Sequence, residues 1–217
     1  ICYQMVHFFT NLVLGCAGLY YNSRLNPDPT PQELVQKMEG HSFGTFQVGY
    51  QLWAIFVGFL VREDPLMLGH HTAVILAAST MVFFTNGMRY WCPFLMGLVE
   101  VTSVPLVIVN IFKEHKELVK QYPRFHHIVR TGFAFLFLYV RVWMFVPRNV
   151  MQMYDHVTTW SAAPSDQILY KMYSGIVFIS ALFLTFLQLM WGVMVVQGFI
   201  KVYSKIFVGS KEKIKAN

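Results

Sequence analysis

The chain has 217 residues, of which 55% are hydrophobic and only 13% charged, and its formal net charge is +6. Soluble domains carry about a quarter charged residues, so this composition excludes a soluble globular protein and describes a polytopic membrane protein. The surplus Lys and Arg lie in connecting segments and in the tail rather than on a folded basic face, so nucleic acid is not an expected partner.

A bilayer core of about 30 Å takes roughly 20 apolar residues in one helix, and six segments meet that measure, which predicts an all-α, six-helix transmembrane bundle. The first covers about residues 2–21, and because the chain opens on Ile1 its natural start is expected further upstream. A loop follows with Thr30 and Glu33 at capping-box spacing and Pro31 at a first helical position, which predicts a short surface helix ending near Gly40. The second span covers about 43–61, the third 65–85 and the fourth 90–112. The fifth covers about 125–146; residues 147–171 then read as a turn-rich loop with a short helix at "RNVMQMYDHV". The sixth runs over about 172–200, long enough to cross with tilt. The expected division is thus a first helix and loop over 1–42, a bundle over 43–208 and a basic tail over 209–217.

Lys and Arg outside the spans set the orientation. Arg62, the cluster from Lys113 to Arg124 and the lysines of the tail share one side, and they outnumber Arg24, Lys37, Arg89, Arg148 and Lys171 on the other. The richer side is expected to be cytosolic, and with it the C-terminus. Lys213 and Lys215 resemble a dilysine retrieval signal of the endoplasmic reticulum, given Asn217 as the terminus. Cys2, Cys16 and Cys92 match no zinc spacing and no disulfide framework, and are expected to be buried thiols, with no metal site.

An ionisable group at membrane depth is costly unless paired or wet, which makes it a functional candidate. His70, His71, Glu100, Arg130 and Arg141 fall at such depth, with His126 and His127 at one end of the fifth span. Imidazole titrates near neutrality and suits acid–base work; adjacent helical residues point about 100° apart, so the two histidines cannot face one point squarely. Helix-bridging hydrogen bonds remain an alternative for the pair, and so does haem shared with His126 or His127. Glu100 has the alternative of a structural ion pair with Arg130 or Arg141.

Five stretches in order carry a family resemblance. They are "FQVGYQLWAIFVGFLV", "MLGHHTAVIL" with the paired histidines, "FFTNGMR", "EVTSVPLVIVN" and "LQLMWGVMVVQGFIKVY". Together they resemble the TLC-domain family, which includes the ceramide synthases. The resemblance implies a bundle enclosing a long cavity for an acyl chain, with His70 and His71 as the catalytic pair and Glu100 as the nearby acid. It also implies Asn86 and Arg89 as substrate contacts, acyl-CoA as co-substrate without any required cofactor, and residence in the endoplasmic reticulum; in an acyl-transfer mechanism Arg130 or Arg141 is expected to hold a phosphate or a developing negative charge of the substrate. The chain departs from the ceramide-synthase pattern. The His-Asp positions are Leu98 and Val99, and Ala54 stands where relatives carry an Asp after Tyr50. It is therefore more similar to the family members that are not ceramide synthases, whose roles concern lipid composition and trafficking.

Three functions remain open on the sequence: acyl transfer at the His pair, non-catalytic lipid binding or cargo escort, and a structural or haem-binding subunit of a membrane complex. Membrane lipids are the expected partners, with further copies or a membrane complex as additional ones.

Overall fold

The structure, a computed structural model, describes residues 2–26, 39–84, 89–162 and 168–215. Among the described residues every regular element is helical: α1 (Cys2–Asn22), α2 (Glu39–Val61), α3 (Pro65–Ser79), α4 (Ser103–Glu114), α5 (Lys116–Gln121), α6 (Pro123–Phe137), α7 (Phe145–Ala162) and α8 (Ile168–Lys215). Two ends of the bundle can be told apart by contact. Gln4 Nε2 donates to Glu114 at one end, and Arg148 donates to Asn22 at the other, so α1 runs the length of the molecule beside α4. The α2–α3 turn, the α4–α6 connection and the far part of α8 share the first end.

Among the described residues, five stretches are long and apolar enough to cross a bilayer: Ser42–Val61, Pro65–Phe84, Pro93–Glu114, Pro123–Tyr154 and Ile168–Lys201. These are five of the six expected spans. α1 has the length, at 21 residues, but Gln4, His7 and Asn11 dilute its apolar character and all three are buried against the bundle. Outward faces carry Phe56, Phe59, Leu60, Phe135, Trp143 and Ile179, all exposed; a monomer in water does not present apolar surface on this scale, and hydrocarbon is the solvent that fits it. The protein is an integral membrane protein, and its outer helical faces meet membrane lipid.

Local chemistry explains the joints. α2 ends in a Schellman motif: Glu63 N–H donates to Gly58 C=O at 2.9 Å and Arg62 N–H to Phe59 C=O, with Arg62 in the left-handed region at φ 56°. Asp64 then caps α3, its carboxylate accepting from Leu66 N–H at 2.8 Å, and Pro65 takes the first helical position. This three-residue turn folds α3 back onto α2.

The fourth span is broken. It opens with a 3₁₀ turn (Arg89–Trp91), passes through a π-turn (Pro93–Gly97) and a 3₁₀ turn (Leu98–Thr102), and becomes α-helical only at Ser103. The cause is contact with α1. A Cβ on Gly18 would collide with the backbone of Gly97 and Leu98, and one on Gly97 would lie 2.8 Å from Gly18 Cα, so two bare backbones touch here. Irregular backbone at membrane depth is tolerated where protein satisfies it, and Met96 C=O is taken up by Gln47 Nε2 at 3.0 Å. Pro105 sits in the first turn of α4, where no intrahelical donor is needed.

The structure departs from the sequence expectations in three places. The helix after the fifth span continues through a π-turn (Leu138–Met144) into α7 and reaches Ala162, so Pro147 does not open a loop. A π-turn already loosens the hydrogen-bond ladder there, and a proline that follows costs less than in a regular helix. α8 begins at Ile168 and runs 48 residues, well past its apolar part. Cys92 is buried as expected, but Cys2 and Cys16 are exposed on the outer face of α1. The capping-box segment around Thr30 and Glu33 lies outside the described residues.

Candidate functional site

A cavity of about 620 Å³ enters the bundle at the end marked by the α2–α3 turn. Exposed Lys113, His127 and Arg130 and half-buried Glu63 border its mouth. One wall is mainly apolar, built from Leu106 and Val107 of α4, Phe133 and Phe137 of α6, and Val195 and Phe199 of α8, with Asn110 and Thr131 set among them. The opposite wall and the floor are polar, built from Tyr3, His7 and Asn11 of α1, Tyr50 and Gln51 of α2, His70 and His71 of α3, then Glu100 and Arg141. A volume of this size is ordinary for a small-molecule site. The split lining suits an amphiphile.

His71 is buried and held from two sides. Its Nδ1 meets Gln51 Oε1 at 2.5 Å, and its Nε2 lies 3.4 Å from Glu63 Oε2. Gln51 uses its NH₂ to donate to Gln47, so its oxygen faces the imidazole and Nδ1 must be the donor. In neutral His71 the proton is therefore on Nδ1, and the Nε2 lone pair points toward Glu63. The two atoms stand close without forming a hydrogen bond. Burial pushes the Glu63 carboxyl up, but the polar contact and charge of His71, the Tyr3 hydroxyl and His7 outweigh it, and the group is held below the usual carboxylate range.

His70 points differently, as the 100° step requires. Its ring sits 5.6 Å from the His71 ring and 5.6 Å from the Trp191 indole, both edge-on. Its Nδ1 is buried with no hydrogen-bond partner. On α1, His7 Nε2 and Asn11 Oδ1 are likewise buried and unpartnered, although His7 Nδ1 is engaged by the Tyr50 hydroxyl, which also accepts from Asn11 Nδ2 at 3.3 Å. Tyr3 Oη, Glu63 Oε2 and His71 Nε2 crowd together without a hydrogen bond of ordinary geometry. Orphaned buried polar atoms are rare and call for an explanation; those of Tyr3, His7, Asn11, Glu63, His70 and His71 line the cavity, while Gln188 Oε1 lies away from it.

Glu100 is buried and does not touch either imidazole. Its Oε1 accepts from Gln47 Nε2 at 3.2 Å, and its Oε2 from Ser103 Oγ at 2.7 Å and Arg141 Nη2 at 3.4 Å. Arg141 comes from the π-turn of the fifth span and also donates to Thr102 Oγ1 at 2.5 Å and Ser103 Oγ at 2.9 Å. Of the two arginines considered for this pairing, Arg141 is the one that makes it; Arg130 stands exposed at the mouth.

Thus His70, His71, Glu100, Arg130 and Arg141 line one cavity, as do His126 and His127 on its outer part. Asn86 lies outside the described residues. Arg89 opens the 3₁₀ turn beside Tyr90, whose hydroxyl donates to Asn26 C=O at the end of the bundle opposite Glu63; nothing of the Arg89 side chain is described. Both nitrogens of His71 face protein groups, Gln51 and Glu63, rather than a place for haem iron. The buried amides Gln47, Gln51 and Asn11, and the pair of His7 and Tyr50, are not among the candidates read from the sequence. The signal was available: two glutamines four residues apart put two amides on one face of a membrane helix.

One comparison with known proteins gives a result. A family model described as the TLC domain matches residues 1–197, and the chain belongs to that family. No curated protein and no solved structure matches the chain. Membership makes this a membrane protein of lipid metabolism or lipid homeostasis.

Proposed function

We propose that this TLC-domain protein draws a membrane lipid into the cavity, lays its hydrocarbon tail along the α4–α6–α8 wall, and acylates its polar head beside His71 with acyl-CoA as donor. The reading rests chiefly on His71: an imidazole that lines the cavity, is held through Nδ1 by Gln51, and turns Nε2 toward Glu63 at the mouth. The acceptor's hydroxyl or amine displaces Glu63 from Nε2 and gives its proton to the imidazole as its oxygen or nitrogen attacks the thioester carbonyl. The C–S bond breaks, and the proton passes from His71 to the departing thiolate. Lys113 and Arg130 at the mouth suit the phosphates of the donor. Arg141 balances Glu100 and is not free for substrate.

The orphaned atoms of His7, Asn11 and His70 favour a polar head over an all-hydrocarbon occupant, since a bound head supplies the missing partners. The basic mouth belongs on the cytosolic face by the charge rule, which places the C-terminus in the cytosol and fits an endoplasmic-reticulum membrane. The test is direct. Purified protein in nanodiscs receives acyl-CoA and a panel of hydroxyl- and amine-bearing lipids, and products are followed by mass spectrometry. His71→Ala is expected to lose about 100-fold or more in rate; equal products at equal rates from variant and wild type overturn the proposal.

A second reading, lipid binding without catalysis, has one observation in its favour: Glu63 covers His71 Nε2. Full rescue of a knockout's lipid profile by the His70→Ala/His71→Ala double variant would decide for it.

A further inference from the structure

Glu100 and His71 stand on different helices with no contact between them, yet an unbroken line of hydrogen bonds joins them. Gln47 Nε2 donates to both Met96 C=O, at 3.0 Å, and Glu100 Oε1, at 3.2 Å. Gln51 Nε2 donates to Gln47 Oε1 at 3.0 Å, and Gln51 Oε1 meets His71 Nδ1 at 2.5 Å. Both amides are almost fully inaccessible, at 1% and 2% exposure, and they sit four residues apart on one face of α2.

The direction of this line follows from one end. Met96 C=O and an ionised Glu100 can only accept, so both protons of the Gln47 NH₂ are committed to them. Gln47 Oε1 is then left to face Gln51, which must answer with its NH₂. Gln51 in turn has only its oxygen left for His71, and Nδ1 must supply the proton. The two amide dipoles lie head to tail and end on a carboxylate whose charge is held in place by Arg141. Hydrogen bonds so aligned strengthen one another, and a buried site does not screen them.

We propose that Gln47 and Gln51 are positioning residues that carry the influence of Glu100 to His71, fixing its proton on Nδ1 and reserving Nε2 as the acceptor in the cavity. The relay takes the place of an acid in direct contact with the imidazole: Glu100 acts at a distance of two side chains. Its use in catalysis rests on the acyl-transfer reading; its existence does not. The other groups facing His71 are Glu63 and Tyr3, both on the Nε2 side, and the ring of His70; none of them bonds Nδ1.

The experiment reads the tautomer itself. Full-length protein carrying [15N]histidine is placed in lipid nanodiscs at neutral pH, and the His71 signals are assigned by their loss in His71→Asn. Wild type is expected to show Nδ1–H over Nε2–H by about tenfold, the worth of one good buried hydrogen bond. Gln51→Met removes the direct partner and should abolish this preference. Gln47→Met and Glu100→Gln leave Gln51 in place, yet each should reduce the preference several-fold, while Asn149→Leu, a buried amide on α7, leaves it unchanged. A His71 spectrum that moves only with Gln51→Met overturns the relay, as does an Nε2–H tautomer in wild type, which needs no variant to fold. In the transfer assay Gln47→Met should lower kcat with KM unchanged. A tautomer shift without any transfer activity would sink the enzymatic reading and leave the relay standing.

Discussion

Arg141→Met strands a carboxylate inside the bundle, and the cost can be set from the contacts. Arg141 is 7% exposed and Glu100 8%, with Nη2 3.4 Å from Oε2. At that separation the gross attraction is about 5 kcal/mol for an effective dielectric near 20, largely offset by the desolvation of both ions. What the deletion exposes is the unbalanced partner, which costs about 3–5 kcal/mol in buried pairs. Ser103 Oγ and Gln47 Nε2 still reach Glu100 after the change, so the loss should fall near the lower bound, about 3 kcal/mol. Glu100→Gln leaves Arg141 its bonds to Thr102 and Ser103 and should cost about 2 kcal/mol. The double variant strands neither charge and should return to within about 1 kcal/mol of wild type. Reversible unfolding in mixed micelles, followed by tryptophan fluorescence, measures all four proteins. Additivity of the two single losses within about 0.5 kcal/mol would refute the pairing.

Gly18→Leu forces a side chain into the backbone of Gly97 and Leu98 and should prevent α1 from docking, seen as new protease cleavage after α1, whereas an equal substitution at Gly49, where nothing lies within 4 Å, should not. Glu63 has a lowered folded-state value, so its contribution to stability is complete above the ordinary carboxylate range near about pH 4.3 and is lost as pH falls through the lowered value. Glu63→Gln should therefore be less stable than wild type at neutral pH, and the two stability curves should converge on acidification; a constant gap would contradict the assignment. Val107→Trp fills space at the apolar wall of the cavity. It should reduce co-purifying lipid while costing about 1–3 kcal/mol in stability.

Five crossings, the burial of His70 and His71 and a Glu100–arginine pair were all legible in the sequence, because long apolar runs and isolated ionisable residues have few other uses in a membrane. The joints were not. Pro147 read as the end of a helix because a π-turn seven residues long, upstream of it, leaves no mark in composition. The broken fourth span depends on Gly18 and Gly97 meeting across two helices, a pairing 79 positions apart that no local pattern encodes. Gln47 and Gln51 do not titrate, so acid–base chemistry does not single them out; only their four-residue spacing on one helix does. Cys2 and Cys16 illustrate the solvent reversal. Facing outward toward lipid suits a thiol as well as burial does, so an apolar helix cannot tell which side such a residue takes.

The central claim is that the cavity holds a lipid tail against its inner wall, and α6 offers a way to test it within one helix. Phe137 is buried and lines the cavity, while Phe135 is exposed on the outer face. A lipid with a diazirine in its acyl chain is incorporated in cells, the protein is purified in detergent, washed and irradiated, and the adducts are mapped by mass spectrometry. The account predicts adducts on Phe133, Phe137, Val195 and Trp191 that survive washing and diminish in Val107→Trp. Labelling confined to Phe135, Tyr139 and the other outward residues would contradict it.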